Sequence, residues 1–343
     1  MKTKVVYSIV SNSDDCYLEQ LLISTYSIKL YNNNVKIILV IDEQSNEGLI
    51  GDRFNALKYV DEKIVVKTPE LRKKSRSRWL KTSIRQLVKG DYLFIDTDTI
   101  ITCDISDIDS VNVKIGAVLD RHLPLDKNQR GKFIKEQCIN AGWLPEEKDN
   151  LYFNSGVMLV RDCEEAYQIY KQWHEIWKSS YHHGIDIDQP ALGLANRKVG
   201  YAIQELDGTW NCQVLGNGLR YLYDAKIIHY YNTGSRTKLS SNPYLFSDIK
   251  LQKKIRDNGY KLTDDVEYKI MHPHKQFSEA YEILADGKMQ AYYSDVFLYM
   301  FHKYKEKSFF NYIILIYVKV ILYLRKLAKK ILYYKASRIQ MSL

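Results

Sequence analysis

Short apolar runs alternate along this chain with longer stretches whose apolar positions recur at helical spacing. VVYSIV (Val5–Val10) and VKIILVI (Val35–Ile41) are nearly continuous apolar runs, and each predicts a buried strand. KIVVK (Lys63–Lys67) predicts a third, weaker one. Between the first two, Leu18, Leu21, Leu22, Tyr26 and Ile28 mark a helix, with Asp14 or Asp15 placed to cap it. A helix near Arg76–Lys89 leads into YLFID, and IGAVLD (Ile115–Asp120) is a further strand ending in an aspartate. YFNSGVMLV (Tyr152–Val160) is strand-like, and a helix follows from about Asp162 to Ser179. DIDQPALGLAN (Asp186–Asn196) starts another helix with Pro190 in its first turn, where proline is tolerated. KIIHYY (Lys226–Tyr231) is a late strand carrying His229. Strands separated by helix-length segments predict βα units and a mostly parallel α/β sheet. Ligands of such sheets lie at the carboxyl ends of the strands, where Asp96 and Asp120 fall.

The carboxyl end of the YLFI run poses the main chemical question. Asp96 and Asp98 follow an apolar strand at a spacing of two. A carboxylate beside a core must be solvated, paired or bound to a metal, because desolvating its charge is costly. An Asp-x-Asp alone also suits a turn. Two carboxylates can nevertheless chelate a hard divalent cation that grips substrate phosphates, and Mn²⁺ accepts one imidazole as well. His229, at the end of another predicted strand, is the candidate for that imidazole. No GxGxxG or GxxxxGK[ST] is present, so a phosphate ligand here calls for a metal and basic side chains.

Charge narrows the picture. The net charge of +9 is matched closely by eight cations between Lys307 and Leu343, a stretch without Asp or Glu. The rest of the chain is close to neutral, which argues against a nucleic-acid-binding body. One other basic cluster, Leu71–Arg85, holds seven cations and no acid just before the aspartate strand. Those cations suit a phosphate ligand or a solvated helix face. FFNYIILIYVKVILYL (Phe309–Leu324) is apolar but interrupted by Lys319, and short for a membrane span. On a helix, Lys319, Lys326 and Lys330 gather on one side, which predicts a basic amphipathic helix lying on an anionic membrane surface. The five cysteines are single and unpaired by spacing, which fits a reducing compartment and no disulfide scaffold. The N-terminal apolar run is too short for a signal-peptide core.

YLFIDTDTI, LYFNSGVMLV, DQPAL and IIHYYNTGSRTK occur in the order seen in glycosyltransferase family 8, which the chain resembles over residues 1 to about 240. The resemblance implies a GT-A fold (Rossmann-like, mostly parallel sheet) and a retaining transfer of galactose or glucose from a UDP-sugar. The acceptor would be lipopolysaccharide or another cell-surface or lipid-linked glycan, at the cytoplasmic face of the bacterial membrane. It implies that Asp96, Asp98 and His229 ligate Mn²⁺ (or Mg²⁺) between the two phosphates, with Thr97 in the donor-binding set. Asp14 matches a position that contacts uracil, and Lys81 falls where the family often has an arginine near the donor. Asp120 and Asn154 match positions that hydrogen-bond the transferred sugar. Asp188 and Gln189 match an Asp-Gln pair beside the reacting carbon; which of them, if either, is a nucleophile stays open. The family's His-x-x-Gly-x-x-Lys-Pro-Trp becomes HYYNTGSRTK, so Arg236 or Lys238 takes the phosphate-binding lysine's role.

The organisation expected is a nucleotide-sugar domain over 1–240, a helical extension over 241–306, and the basic membrane-associating helix over 307–343. Two other readings are a sugar-nucleotide nucleotidyltransferase, disfavoured by the missing Gly-rich loop, and a catalytically silent glycan-binding protein of the same fold, disfavoured by the intact acids and His229.

Overall fold

The structure is a computed structural model. It describes residues 1–277, apart from 129, 215 and 231–248, together with six positions between 316 and 324. The chain divides into two compact units, Met1–Arg236 with Ser240–Gln276, and Thr237–Leu239 with Phe277–Leu343. Arg236 and Lys238 lie outside the described residues, as does most of the tail. Among the described residues no helix is long and apolar enough to cross a membrane.

The first unit is an α/β fold built on a mostly parallel seven-stranded sheet. Its strands are β1 (Lys4–Ile9), β2 (Ile37–Asp42), β3 (Glu62–Val66), β4 (Tyr92–Ile95), β6 (Ile115–Leu119), β7 (Phe153–Val160) and β8 (Ile203–Glu205), in the order β3-β2-β1-β4-β7-β6-β8. The strands β2, β4, β6 and β7 are buried throughout, as continuous apolar runs require when both faces are covered. Helix α1 (Tyr17–Tyr31) joins β1 to β2; α3 (Lys73–Leu87), α5 (Glu164–His182) and α6 (Gln189–Lys198) join later strands. Trp173 and Trp177 of α5 are fully buried in the core with Tyr92, Phe94 and Ile84. The predicted aspartate cap of α1 differs from what forms. Cys16 is the N-cap, and Asp15 sits one residue earlier, accepting from Tyr17 N–H at 3.1 Å and from Asn12 N–H at 2.8 Å.

Strand β7 breaks the parallel pattern, because it runs antiparallel to both β4 and β6. That reversal has a chemical result. The carboxyl ends of β4 and β6 and the amino end of β7 meet at one edge of the sheet. Asp96, Asp120 and Asn154 therefore arrive together from three strands.

A second sheet stands beside this edge. It has the order β5-β10-β9, from β5 (Thr99–Ile101), β9 (Cys212–Gln213) and β10 (Ile227–His229). The chain passes from β4 to β5 through Asp96-Thr97-Asp98, so the two aspartates occupy the crossing between sheets. Thr99 Oγ1 donates to Asp96 C=O at 2.9 Å and closes that turn. Near the carboxyl end of the described unit, α7 (Ile249–Asp257) and α8 (Asp264–Met271) pack on α1. Arg256 of α7 pairs with Glu19 at 2.6 Å and donates to Ser13 C=O at 3.0 Å, which ties down the loop between β1 and α1.

Candidate active site

Antiparallel pairing of β10 with β5 sets His229 opposite Thr99, next to Asp98. Tyr230 N–H donates to Asp98 C=O at 2.9 Å, and His229 Nε2 lies 3.2 Å from Asp98 Oδ1. One ligand atom from each of Asp96, Asp98 and His229 falls within 4.8 Å of the others. Two carboxylates and an imidazole at this spacing suit a divalent cation such as Mn²⁺. The backbone leaves room for them. A Cβ on Gly156 would stand 2.3 Å from His229 Cε1 and 3.0 Å from Asp96 Oδ2, so only glycine fits beside the triad.

The outer partners of the triad are as ordered as the triad itself. Asn211 Nδ2 donates to Asn154 Oδ1 at 3.0 Å, which leaves Asn211 Oδ1 as an acceptor facing His229 Nδ1 at 2.9 Å. His229 therefore carries a proton on Nδ1 and points Nε2 at the aspartates, the nitrogen that would face a divalent cation held between them. Asn154 Nδ2 donates in turn to Asp120 Oδ1 at 3.2 Å. Side-chain amides thus connect Asp120 to His229 through Asn154 and Asn211, all four buried.

Electrostatics divides the acids. Burial raises the Asp96 pKa, and Asp98 raises it further against the pull of Lys81. Lys81 is buried, and its Nζ reaches both Asp96 oxygens at 3.0 Å while lying over the Phe94 ring. Asp188 shows the opposite balance. Burial opposes its ionisation, but Arg78 and then Lys81 hold its pKa below the ordinary carboxylate value. Arg78 Nε lies 3.0 Å from Asp188 Oδ1, and Ser155 Oγ donates to Asp188 Oδ2 at 3.1 Å. Trp173 Nε1–H donates to the Asp188 carbonyl at 2.8 Å. Gln189 Nε2 faces Asp120 Oδ1 at 3.4 Å and the Phe153 carbonyl at 3.3 Å, so the amide oxygen is its remaining acceptor.

Most of the basic run on α3 is engaged by acids, although Arg72 and Lys74 remain exposed. Lys73 pairs with Asp15, Lys74 with Asp186, Arg76 with Asp42, Arg78 with Asp188, Lys81 with Asp96 and Arg85 with Asp162. Lys73, Lys74, Arg78 and Lys81 line one cleft, whereas Arg85 pairs with Asp162 at the far end of the helix, beside the amino end of β4.

That cleft holds about 400 Å³ and is lined by Lys81, Asp96, Thr97, Asp98, Asn154, Asp188, Gln189 and His229 among others. Asp120 joins it through Asn154 and Gln189. Asp14 stands exposed on the loop before α1 and does not line the cleft, whereas Tyr17 and Gln20 of α1 do. Sequence reasoning missed Asn211 and left Arg78 undistinguished within its basic run. Neither has a local signal, because the partners lie 18 and 110 residues away.

Acids and a histidine converging at one edge of an α/β sheet, beside a cation-bearing helix, form a site suited to a divalent cation and a phosphate-bearing ligand. The family model described as "Glycosyl transferase family 8" matches residues 4–238, and the chain belongs to that family of glycosyltransferases. No curated protein sequence matches the chain. Among solved structures, it is similar to apo mouse xyloside xylosyltransferase 1, at 15% identity and a TM-score of 0.46, over 68% of this chain and 99% of that one. It is also similar to the galactosyltransferase LgtC in complex with donor and acceptor sugar analogs, at 13% identity and a TM-score of 0.47, over 78% and 100%. The glycosyltransferase GlyE of Streptococcus pneumoniae matches at 16% identity and a TM-score of 0.45, over 76% and 66%.

Proposed function

We propose that this glycosyltransferase moves a hexose, galactose or glucose, from a UDP-sugar to a cell-surface or lipid-linked glycan, with retention of configuration and dependence on Mn²⁺ or Mg²⁺. The observation that carries the reading is the Asp96, Asp98 and His229 triad with Nε2 turned inward, at the mouth of a cleft lined by fixed cations. Asp96, Asp98 and His229 would hold a divalent cation, which would supply Lewis-acid stabilisation of the departing diphosphate.

The chain's own groups do the rest. Lys81 and Arg78 set fixed positive charge where the diphosphate gains negative charge as the anomeric C–O bond breaks. Asp120 accepts from sugar hydroxyls, and Asn154 orients Asp120 with its Nδ2–H. Gln189 lies beside the reacting carbon, but an amide is a poor nucleophile. Asp188 is ionised yet engaged by Arg78 and Ser155, which lowers its reactivity towards carbon. Front-face attack is therefore the route favoured here. The acceptor hydroxyl enters on the side the diphosphate leaves, a bond forms between its oxygen and the anomeric carbon, and a diphosphate oxygen takes its proton.

We assign the tail to the cytoplasmic membrane surface. Ile316, Val320, Tyr323 and Leu324, at helical spacing, are exposed, and Lys319 stands among them. Apolar residues and cations together favour anionic lipid over neutral lipid. Co-sedimentation with anionic vesicles but not neutral ones supports this; equal binding to both, or none, removes it.

The direct test of activity is UDP release from a panel of UDP-sugars, with Mn²⁺ and with EDTA. Cation-dependent release from one donor supports the assignment and names the sugar. Absence of both release and calorimetric binding of UDP with Mn²⁺ overturns it.

A further inference from the structure

The turn after β6 contains two successive non-glycine residues in the left-handed region, Arg121 at φ 56° and His122 at φ 57°. L-residues adopt this conformation only when their surroundings hold them there, and such strain collects at functional sites. Here it falls immediately after Asp120. The Asp120 backbone is pinned on both sides, its N–H donating to Tyr152 C=O at 2.8 Å and its C=O accepting from Asn128 Nδ2 at 3.0 Å. A residue fixed in this way has its carboxylate aimed by the turn that follows.

One side chain clamps that turn. Gln213 Oε1 accepts from Arg121 N–H at 2.7 Å, and Gln213 Nε2 donates to Leu119 C=O at 2.9 Å. The Gln213 backbone N–H donates to His122 Nε2 at 3.2 Å. Gln213 therefore holds the residues before and after Asp120, and the one beyond. It is fully buried. Its own position is fixed by pairing in register with His229 and by the close approach of Gly218, where a Cβ would stand 1.7 Å from the Gln213 carbonyl oxygen.

We propose that Gln213 is a positioning residue that aims Asp120 at the donor sugar, so that the strand carrying it links sugar recognition to the sheet that carries His229. This rests on the functional reading above, in which Asp120 contacts the transferred sugar. Gln213 touches no substrate. It acts through Asp120, so removing its two amide hydrogen bonds mis-aims one carboxylate and leaves the UDP side of the cleft intact. A misplacement on the scale of 1 Å costs about 100-fold in rate.

The test uses the full chain with Mn²⁺. Gln213→Met keeps the side-chain length and removes both amide bonds; Gln213→Glu keeps an acceptor for Arg121 N–H and loses the donor to Leu119. Three readouts are compared: calorimetric affinity for UDP with Mn²⁺, kcat/KM for the preferred UDP-sugar, and its ratio to the epimeric donor. The expected result is UDP affinity within about twofold of wild type, kcat/KM down by about 100-fold, and a collapsed donor ratio. Gln213→Glu, if Gln213→Met fails to fold, is expected to show the same pattern more weakly. In the double variant with Asp120→Asn, the Gln213 change is expected to add nothing further, since both act at one carboxylate. Parallel loss of UDP binding and turnover overturns the proposal, as does additivity with Asp120→Asn or an unchanged donor ratio. A wild-type protein that turns over no UDP-sugar sinks the functional reading and this proposal together. An active wild type with an equally active Gln213→Met sinks this proposal alone.

Discussion

His229 Nδ1 lies 2.9 Å from Asn211 Oδ1, and the Asn211 amide is itself oriented by its bond to Asn154. The pair fixes which imidazole nitrogen faces the two aspartates. Outer partners of this kind are worth about 10–100-fold in metal affinity. Asn211→Ala is therefore expected to weaken Mn²⁺ binding by that range, read by Mn²⁺ paramagnetic resonance, while leaving the melting temperature within a few degrees. Wild-type affinity in the variant shows that the tautomer is set elsewhere.

The Asn211 bond also marks where sequence reading stops. Strand runs such as Val35–Ile41 and the Asp96–Asp98 spacing were legible because burial on both sheet faces leaves continuous apolar letters, and a paired acid at a strand end is conspicuous. The resemblance put Asp120, Asn154, Asp188 and His229 into one set; in the structure Asn154, Asp188 and His229 line the cleft, and Asp120 lies buried behind Asn154. The reversal of β7 was not legible, since an eight-residue apolar strand reads alike in either direction. Nor were the roles of Arg78, Asn211 and Gln213. A buried amide pays no visible compositional signature, and its partners are fixed only once distant strands pair.

Gly156 offers a steric test of the triad. Alanine there would set its Cβ 2.3 Å from His229 Cε1 and 2.9 Å from Asn154 Oδ1. Overpacking a closed site costs roughly 1–3 kcal/mol. The expected outcome for Gly156→Ala is loss of most cation binding with a smaller loss of stability, because the backbone pairing that includes Asp96 N–H to Gly156 C=O, at 2.7 Å, survives. Unaltered Mn²⁺ affinity would show that the cation does not sit against this strand.

Asp188 depends on Arg78 for a counter-charge. Removing one partner of a fully buried ion pair costs roughly 3–5 kcal/mol. The Arg78 side chain is 30% exposed, and water reaching Asp188 in its absence reduces the penalty to about 1–3 kcal/mol. Urea denaturation of Arg78→Ala should show that loss. The double variant Arg78→Ala/Asp188→Asn should recover part of it, since the asparagine needs no cation. A double variant less stable than Arg78→Ala alone would mean that Asp188 is held by other groups.

Acid should weaken the fold through two neutral histidines. Burial, then Arg220, pushes the His122 pKa down to about 4; burial, then Lys178, does the same for His174. An unfolded histidine titrates near about 6.5. Between about 6.5 and 4 the unfolded chain therefore binds more protons than the folded one, and stability falls as pH is lowered through that window. His229 works in the other direction: burial opposes its protonation, but Asp98 and Asp96 together raise its pKa. The contribution of one group is best isolated by difference. His174 Nδ1 lies 2.8 Å from Thr82 Oγ1, a contact glutamine can replace without titrating. His174→Gln should show a shallower fall in urea midpoint between pH 7 and pH 5 than the wild type. Identical slopes would mean that His174 is protonated in the folded protein at the same pH as in the unfolded one.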